Sequence, residues 1–385
     1  MKNTLLKLIF FGFFGFLSAQ EIQVTMAAGI DTTNNFNKKE VFALWENFLT
    51  AISLETNPDI YWNQQEKEIF KSYDLLDNAG YLTPSLYGLV KEGGKNVVLS
   101  IAPYGEFYEI KSIFYYTYPD ETIYPLAIVK YYAAMEEGIY KLYNHLPVYA
   151  SHWPTKKVGY FNYVYHPNHP FDSFKAEAAN AFYVKIVEVF DLSLSEFKYY
   201  IAENCDKIFN LQGFDFIIGM GKDNNLCGFY DDKNNIIYSN SITGENYTHE
   251  IAHSILEKFP NSGVFHLGIV TYLGEETHFN KSLIFHIRRI SDYLEKHPEI
   301  NLNNFVEEFS SMDEFTSPQY IIPAMICHLA LEKGGVESLK KLFSYGNVNT
   351  YEAIEEVVGV KRKNLNVYLR NKIKFYSENG IECLL

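Results

Sequence analysis

The segment NYTHEIAHSILEKFP, residues 246–260, constrains this chain more than any other. It reads as a helix that Asn246 can cap and Pro260 ends. On a helix His249 and His253 lie one turn apart and face the same way, so both imidazoles can reach one metal ion. Glu250 falls on the flank between them, where its carboxylate can sit beside a metal-activated water. Zinc lowers the pKa of such a water to about 7, and the glutamate can take its proton and pass it to a leaving amine. Two imidazoles do not complete a catalytic zinc site, which takes three protein ligands. A third donor is therefore expected.

A short strand is expected just upstream, over NNIIYSNS (234–241), and in a peptidase it would be the sheet edge that hydrogen-bonds an extended substrate. Downstream stands GVFHLGIVTYLG, residues 263–274. HEIAHSIL followed by this segment resembles the gluzincin metallopeptidases of the peptidase MA-like family. There HExxH is followed by a second helix whose glutamate is the third zinc ligand, in a motif close to EGIATYLG. The resemblance spans roughly residues 155–375 and is strongest at HEIAH and GIVTYLG. It implies a zincin-like catalytic domain, a Zn²⁺ cofactor and a peptide or protein substrate. SPQYIIPAMICHLALEKGG (317–335) is similar to the helix that supplies a transition-state tyrosine in gluzincin aminopeptidases. His328 takes the aligned position, and Tyr320 is the other candidate.

The departure lies at the third ligand, because Leu267 stands where the family has its glutamate. His266 is adjacent, near the first turn of its helix, and imidazole is a good zinc ligand. One residue of displacement, however, turns a side chain by about 100° around a helix. Glu275 and Glu276 have suitable chemistry but lie eight and nine residues beyond Leu267, about 12 Å along a continuous helix. Glu257 would have to fold back from one turn beyond His253. The remaining alternative is a chain with no third protein ligand, a gluzincin-fold binding or scaffold protein that has lost catalysis.

The N-terminus MKNTLLKLIFFGFFGFLSAQ has Lys2 and Lys7, an apolar run from Leu8 to Leu17, then Ser18 and Ala19. This is the layout of a secretory signal peptide, with cleavage expected near Ala19. The run is too short to span a bilayer and no later apolar run is long enough, so no stable membrane insertion is expected after cleavage. Export to the periplasm or the extracellular space follows. Loss of Lys2 and Lys7 takes the formal charge from −14 to −16, a balance that disfavours nucleic acid and anionic membranes as partners. None of Cys205, Cys227, Cys327 and Cys383 forms a CxxC, which argues against a cysteine zinc site. In an oxidising compartment one or two disulfides are open to them, with Cys205–Cys227 the closest pair, and so are four buried thiols. The 31 Tyr and 30 Phe are spread along the whole chain and read as core and sheet-surface residues rather than as a stacking platform.

The fold class expected is α+β. A signal peptide over 1–19 precedes an N-terminal α/β domain over 20–150, a zincin-like catalytic subdomain over 151–275 (a small sheet plus the HExxH helix), and a helical C-terminal subdomain over 276–385. Within this frame an amphipathic helix is expected over about 38–56, with Val41, Leu44, Trp45, Phe48 and Leu49 on one face, and another over 66–76. A hairpin turning at Pro-Tyr-Gly-Glu (103–106) follows. Further helices are expected over 126–143, 174–190 and 195–209, the last with a capping box from Ser193 and Glu196. His166 and His169 form an HxxH whose Pro-Asn interior forbids a helical face, and it reads as a polar loop. The N-terminal region carries no motif that can be attached to chemistry.

Overall fold

In the computed structural model the described residues are 22–71, 73–76, 86–91, 94–218, 220–221, 227–274, 281–313 and 315–385. The expected signal peptide and Glu275 and Glu276 lie outside them. The chain is mixed α and β and divides into two compact units, Met1–Glu66 with Tyr81–Tyr143, and Lys67–Gly80 with Asn144–Leu385. The segments expected as catalytic and helical subdomains both fall in the second unit.

The chain opens with β1 (Val24–Met26), α1 (Phe36–Ser53), α2 (Gln64–Ile69) and α3 (Leu86–Lys91). Strands β2 (Lys95–Tyr104), β3 (Phe107–Thr117), β4 (Ile123–Glu136) and β5 (Ile139–Tyr143) follow. In the first unit the order is β1-β2-β3-β4-β5, with β1 parallel to β2 and the other pairs antiparallel. Asn35 caps α1 by accepting the Lys38 N–H, and the helix buries the expected face. Trp45 packs on Phe48, Phe114 and Tyr131, and its Nε1 donates to Asn96 Oδ1 at 3.0 Å. Burial of each such aromatic contributes roughly 1.5–3 kcal/mol.

Two expected helices are strands instead. Residues 126–143 form the β4–β5 hairpin, in which Glu136 pairs with Ile139 across a two-residue turn. Glu137 and Gly138 hold φ of 51° and 85° there, as a turn matched to strand twist requires. Residues 195–209 contain β8 (Phe197–Ala202), whose aromatic and β-branched run FKYYIA packs better in a sheet. The helix begins only at α6 (Cys205–Gln212), capped by Asn204, while Glu196 pairs with Lys157 and Asn162 rather than closing a capping box. The helix expected over 66–76 is short, since α2 ends at Ile69.

The second unit continues with α4 (His145–Tyr149), β6 (Thr155–Val158), β7 (Phe161–Tyr165) and α5 (Ser173–Phe190). After α6 come β9 (Phe214–Ile217), β10 (Phe229–Asp231) and β11 (Ile236–Asn240). Its sheet runs β10-β11-β8-β7-β6. Strands β7, β8 and β11 are parallel, and the outer strands β6 and β10 are antiparallel to their neighbours. The strand upstream of HEIAH is thus interior, and the terminal strand on that side is β10. Helix α5 buries Ala176, Ala179 and Tyr183 against Phe161, Tyr199 and Ile237 of the sheet.

The rest is helical: α7 (Thr248–Ala252), α8 (Val264–Leu273), α9 (Leu283–Lys296), α10 (Phe305–Glu308), α11 (Pro318–Phe343), α12 (Thr350–Val358) and α13 (Arg362–Asn379). Helix α11 breaks at Gly334 and Gly335, the latter at φ +64°. One apolar core joins α8, α9 and α11 to α12 and α13. Among the described residues no helix is long and apolar enough to cross a membrane.

Candidate active site

The helix expected over 246–259 is α-helical only from Thr248 to Ala252 and then tightens into a 3-10 helix over His253–Glu257. No side chain caps its start, including Asn246. A buried network around the turn from β11 sets that start instead. Tyr199 Oη donates to the Gly244 carbonyl at 2.8 Å and accepts the Tyr247 N–H at 3.1 Å. Tyr163 Oη donates to the Glu245 carbonyl, and Glu245 Oε1 accepts the Asp172 N–H at 2.7 Å and lies 2.9 Å from His169 Nε2. His169 thus serves this buried turn, while His166 lies near Glu203 and accepts the Asn168 N–H. Ile251 seats the helix in the sheet core and Ala252 seats it in the helical core.

His249 and His253 come together as the i, i+4 spacing requires, with ring centroids 5.2 Å apart. His266, in the first turn of α8, reaches His253, with 2.8 Å between His253 Nδ1 and His266 Nε2. Burial, then the neighbouring imidazole, holds both His253 and His266 well below the ordinary histidine range, so both are neutral at pH 7. His266 Nδ1 is buried with no hydrogen-bond partner. As the rings stand, among the described residues no group of three or more His, Cys, Asp or Glu side chains is disposed to hold a metal ion.

Glu250 is buried at 6% exposure, with its Oε2 4.0 Å from His253 Nε2. Burial pushes its carboxyl up to about 8, and the Tyr230 backbone N–H of β10 opposes the shift. His249 and Glu250 line a cavity of about 260 Å³ with Leu267, His286 and Tyr320. Leu267 is 36% exposed on a helix whose neighbouring residues His266 and Gly268 are buried, so the position aligned with the family's glutamate does face this cavity. Glu257 is exposed and does not line it.

Of the two residues considered for oxyanion stabilisation, Tyr320 in the first turn of α11 lines the cavity and His328 does not. His328 is buried two turns along, where its Nδ1 lies 3.1 Å from Tyr272 Oη and its Nε2 3.3 Å from Glu332. Close helix packing brings Tyr320 to α8. A Cβ at Gly268 would lie 2.6 Å from the carbonyl carbon of Pro323, an approach only glycine permits. A Cβ at Gly274 would lie 3.3 Å from His249 Cβ, so the end of α8 also closes on the first histidine.

Sequence reasoning did not single out two parts of this wall. His286 of α9 carries no motif, only an imidazole on an amphipathic helix. Cys227 and Gly228, entering β10, also line the cavity. Cys227 is disulfide-bonded to Cys205, while Cys327 is buried and Cys383 exposed as free thiols. The disulfide joins the start of α6 to the approach of β10, and Asn240 Nδ2 donates to the Cys227 carbonyl at 3.3 Å. Their sequence proximity was the only advance signal. No protein-family model matches the chain, and no curated protein matches it.

Proposed function

We propose that this chain is an exported zinc-dependent peptidase of gluzincin type, with His249, His253 and His266 as ligands and Glu250 as general base. The observation that carries this is the contact between His253 and His266 beside His249, which assembles three imidazoles on two short helices. The donor chemistry fits zinc: the imidazoles neighbour one another, burial keeps two of them neutral, and His266 Nδ1 is buried without a partner. The rings of His253 and His266 would have to turn from each other toward a shared ion.

A bound zinc supplies Lewis acidity, activating water and polarising a peptide carbonyl. The chain's own residues supply the rest. Glu250 takes a proton on its carboxylate from the attacking water and delivers it to the departing nitrogen. That role needs the ionised carboxylate, which burial disfavours and a metal cation held beside it would favour. Tyr320 faces the same cavity and can donate its phenolic hydrogen to the developing oxyanion. Strand β10, terminal in its sheet, offers backbone groups to an extended peptide. The Cys205–Cys227 disulfide suits an oxidising compartment, in keeping with the export expected from the N-terminal sequence.

The test is zinc content at neutral pH together with hydrolysis of a mixed peptide library. Stoichiometric zinc and cleavage abolished by chelator or by Glu250→Gln are expected; sub-stoichiometric zinc without chelator-sensitive cleavage would overturn the reading.

Leu267 favours a second reading, a gluzincin-fold binding or scaffold protein that has lost catalysis. Its apolar side chain faces the cavity in the glutamate's place. A Leu267→Glu variant that gains zinc affinity and activity over an inert native protein would establish this second reading. A native protein that already binds zinc tightly, and gains nothing from the glutamate, would dismiss it.

A further inference from the structure

The second unit has another cavity, larger and more apolar than the one that holds Glu250, with a volume of about 410 Å³. None of His249, Glu250, His253, His266 and Tyr320 lines it. We infer that this cavity binds one long-chain carboxylate, a free fatty acid, with the alkyl chain inside and the headgroup on Lys185. The inference is independent of the peptidase reading, since the site needs neither metal nor cleavage.

Four segments build the walls. Phe182, Ile186 and Val189 recur at helical spacing on one face of α5, with Lys185 beside them. Leu273 ends α8 and Leu283 opens α9, and both are buried. The fourth wall is the segment 381–385. Tyr272 Oη donates to the Glu382 carbonyl at 3.0 Å and accepts the Leu384 N–H at 2.8 Å, which fixes the backbone of that segment. The alternate residues Ile381, Cys383 and Leu385 line the cavity.

Charge and hydrogen-bond inventory select the occupant. Lys185 is the one charged side chain among the described lining residues. It is exposed, and among the described residues no carboxylate or carbonyl engages its ammonium. An apolar cavity with a single cation at its edge fits an anion with an apolar body, oriented by that one polar group. Its volume lies near the lower end of the roughly 300–1,000 Å³ range of ligand sites, which suits one acyl chain rather than two. An apolar peptide with a free carboxylate has the same charge, but each amide it buries needs a hydrogen-bond partner. The hydroxyls of the wall are those of Thr248, Tyr272 and Ser282, and that of Tyr272 is committed to the 381–385 segment. An alkyl chain needs none.

The test is isothermal titration calorimetry of the full chain with octanoate, decanoate and dodecanoate below their micelle concentrations, with decanol as the uncharged control. One molecule is expected per chain, with affinity rising about fourfold for each added methylene, the fold-change its burial supplies. Lys185→Gln should weaken decanoate about fivefold, the scale of a partly exposed ion pair, and leave decanol unchanged. Val189→Trp fills the cavity from α5 and should abolish binding of both. If that variant does not fold, the chain-length series and Lys185→Gln decide the matter. No binding of dodecanoate, an affinity independent of chain length, or a Lys185→Gln variant that binds decanoate as the native chain does would overturn the inference. So would tighter binding of an acetylated leucine peptide with a free carboxylate than of decanoate, which would assign the cavity to peptide termini. A chelator should leave decanoate binding unchanged, and its loss on chelation would overturn a metal-free site. A chain that binds decanoate in this way and cleaves no peptide overturns the peptidase reading alone and supports this one.

Discussion

His253 Nδ1 and His266 Nε2 lie 2.8 Å apart, although 13 residues separate them in sequence. The contact joins the first residue of a 3-10 helix to the first turn of α8, and the shared burial that keeps both rings neutral is what a metal ligand needs. Leu267, one position on, faces the cavity instead.

If His266 is a ligand, His266→Leu should weaken zinc binding by more than about 100-fold, beyond the 10–100-fold typical of losing an outer-shell partner. An apolar replacement suits the buried site, so the far-ultraviolet dichroism should be unchanged. Competition titration against a chromogenic chelator measures the effect, and an unaltered affinity would remove His266 from the ligand set.

Tyr320 and His328 should separate cleanly. Tyr320→Phe is expected to lower kcat by about 10- to 100-fold, a neutral donor being lost at the developing charge. His328→Gln should leave kcat unchanged and lower stability, because it disturbs the Tyr272 and Glu332 contacts. Steady-state kinetics and urea midpoints on both variants distinguish the two roles.

The same histidine predicts an acid dependence. Burial pushes His328 below its ordinary value of 6.5, against the opposing pull of Glu332. The unfolded chain therefore takes up a proton near pH 6.5 that the native chain refuses. The stability this neutral group contributes is full above that pH and falls as pH drops through it. His328→Gln should flatten the urea midpoint between pH 7.5 and 5.5 relative to the native protein; an equal slope in both would remove His328 from the acid response.

Gly268→Ala should cost about 1–3 kcal/mol, the range for overpacking a tight contact. The new Cβ meets the backbone of Pro323, which cannot swing aside as a side chain can. Because α8 carries His266 and Leu267 while α11 carries Tyr320, activity should fall together with stability. A thermal midpoint within a degree of the native value would show that the helices separate without cost.

Reduction of Cys205–Cys227 should lower stability by about 2–4 kcal/mol, the usual worth of a disulfide. Cys227 also lines the cavity, so peptide affinity should weaken before the fold is lost. A reductant titration followed by KM and by unfolding shows the order of the two effects, and coincident loss would make the bond purely structural.

Local chemistry was legible wherever the spacing was local. The α1 face, the Pro-Tyr-Gly-Glu hairpin and the juxtaposition of His249 with His253 follow from periodicities of two and 3.6 residues. Apolar runs without clear periodicity were not legible. Residues 126–143 and 195–209 are rich in aromatic and β-branched side chains that a buried helix or a buried strand could use. Partners elsewhere in each sheet decided for strands.

HEIAH by itself determined a histidine pair with a glutamate beside it, because one helical turn is a property of the backbone. Which neighbour joins that pair is a matter of long-range packing. The tertiary structure turned His266 onto His253 and Leu267 into the cavity, and it moved His328 into a buried network with Tyr272 and Glu332. It also brought in His286, whose placement depends on the turn from Asp313 to Thr316. Contacts between distant segments are fixed by how helices and sheets fill space together, and no single segment of the sequence carries that information.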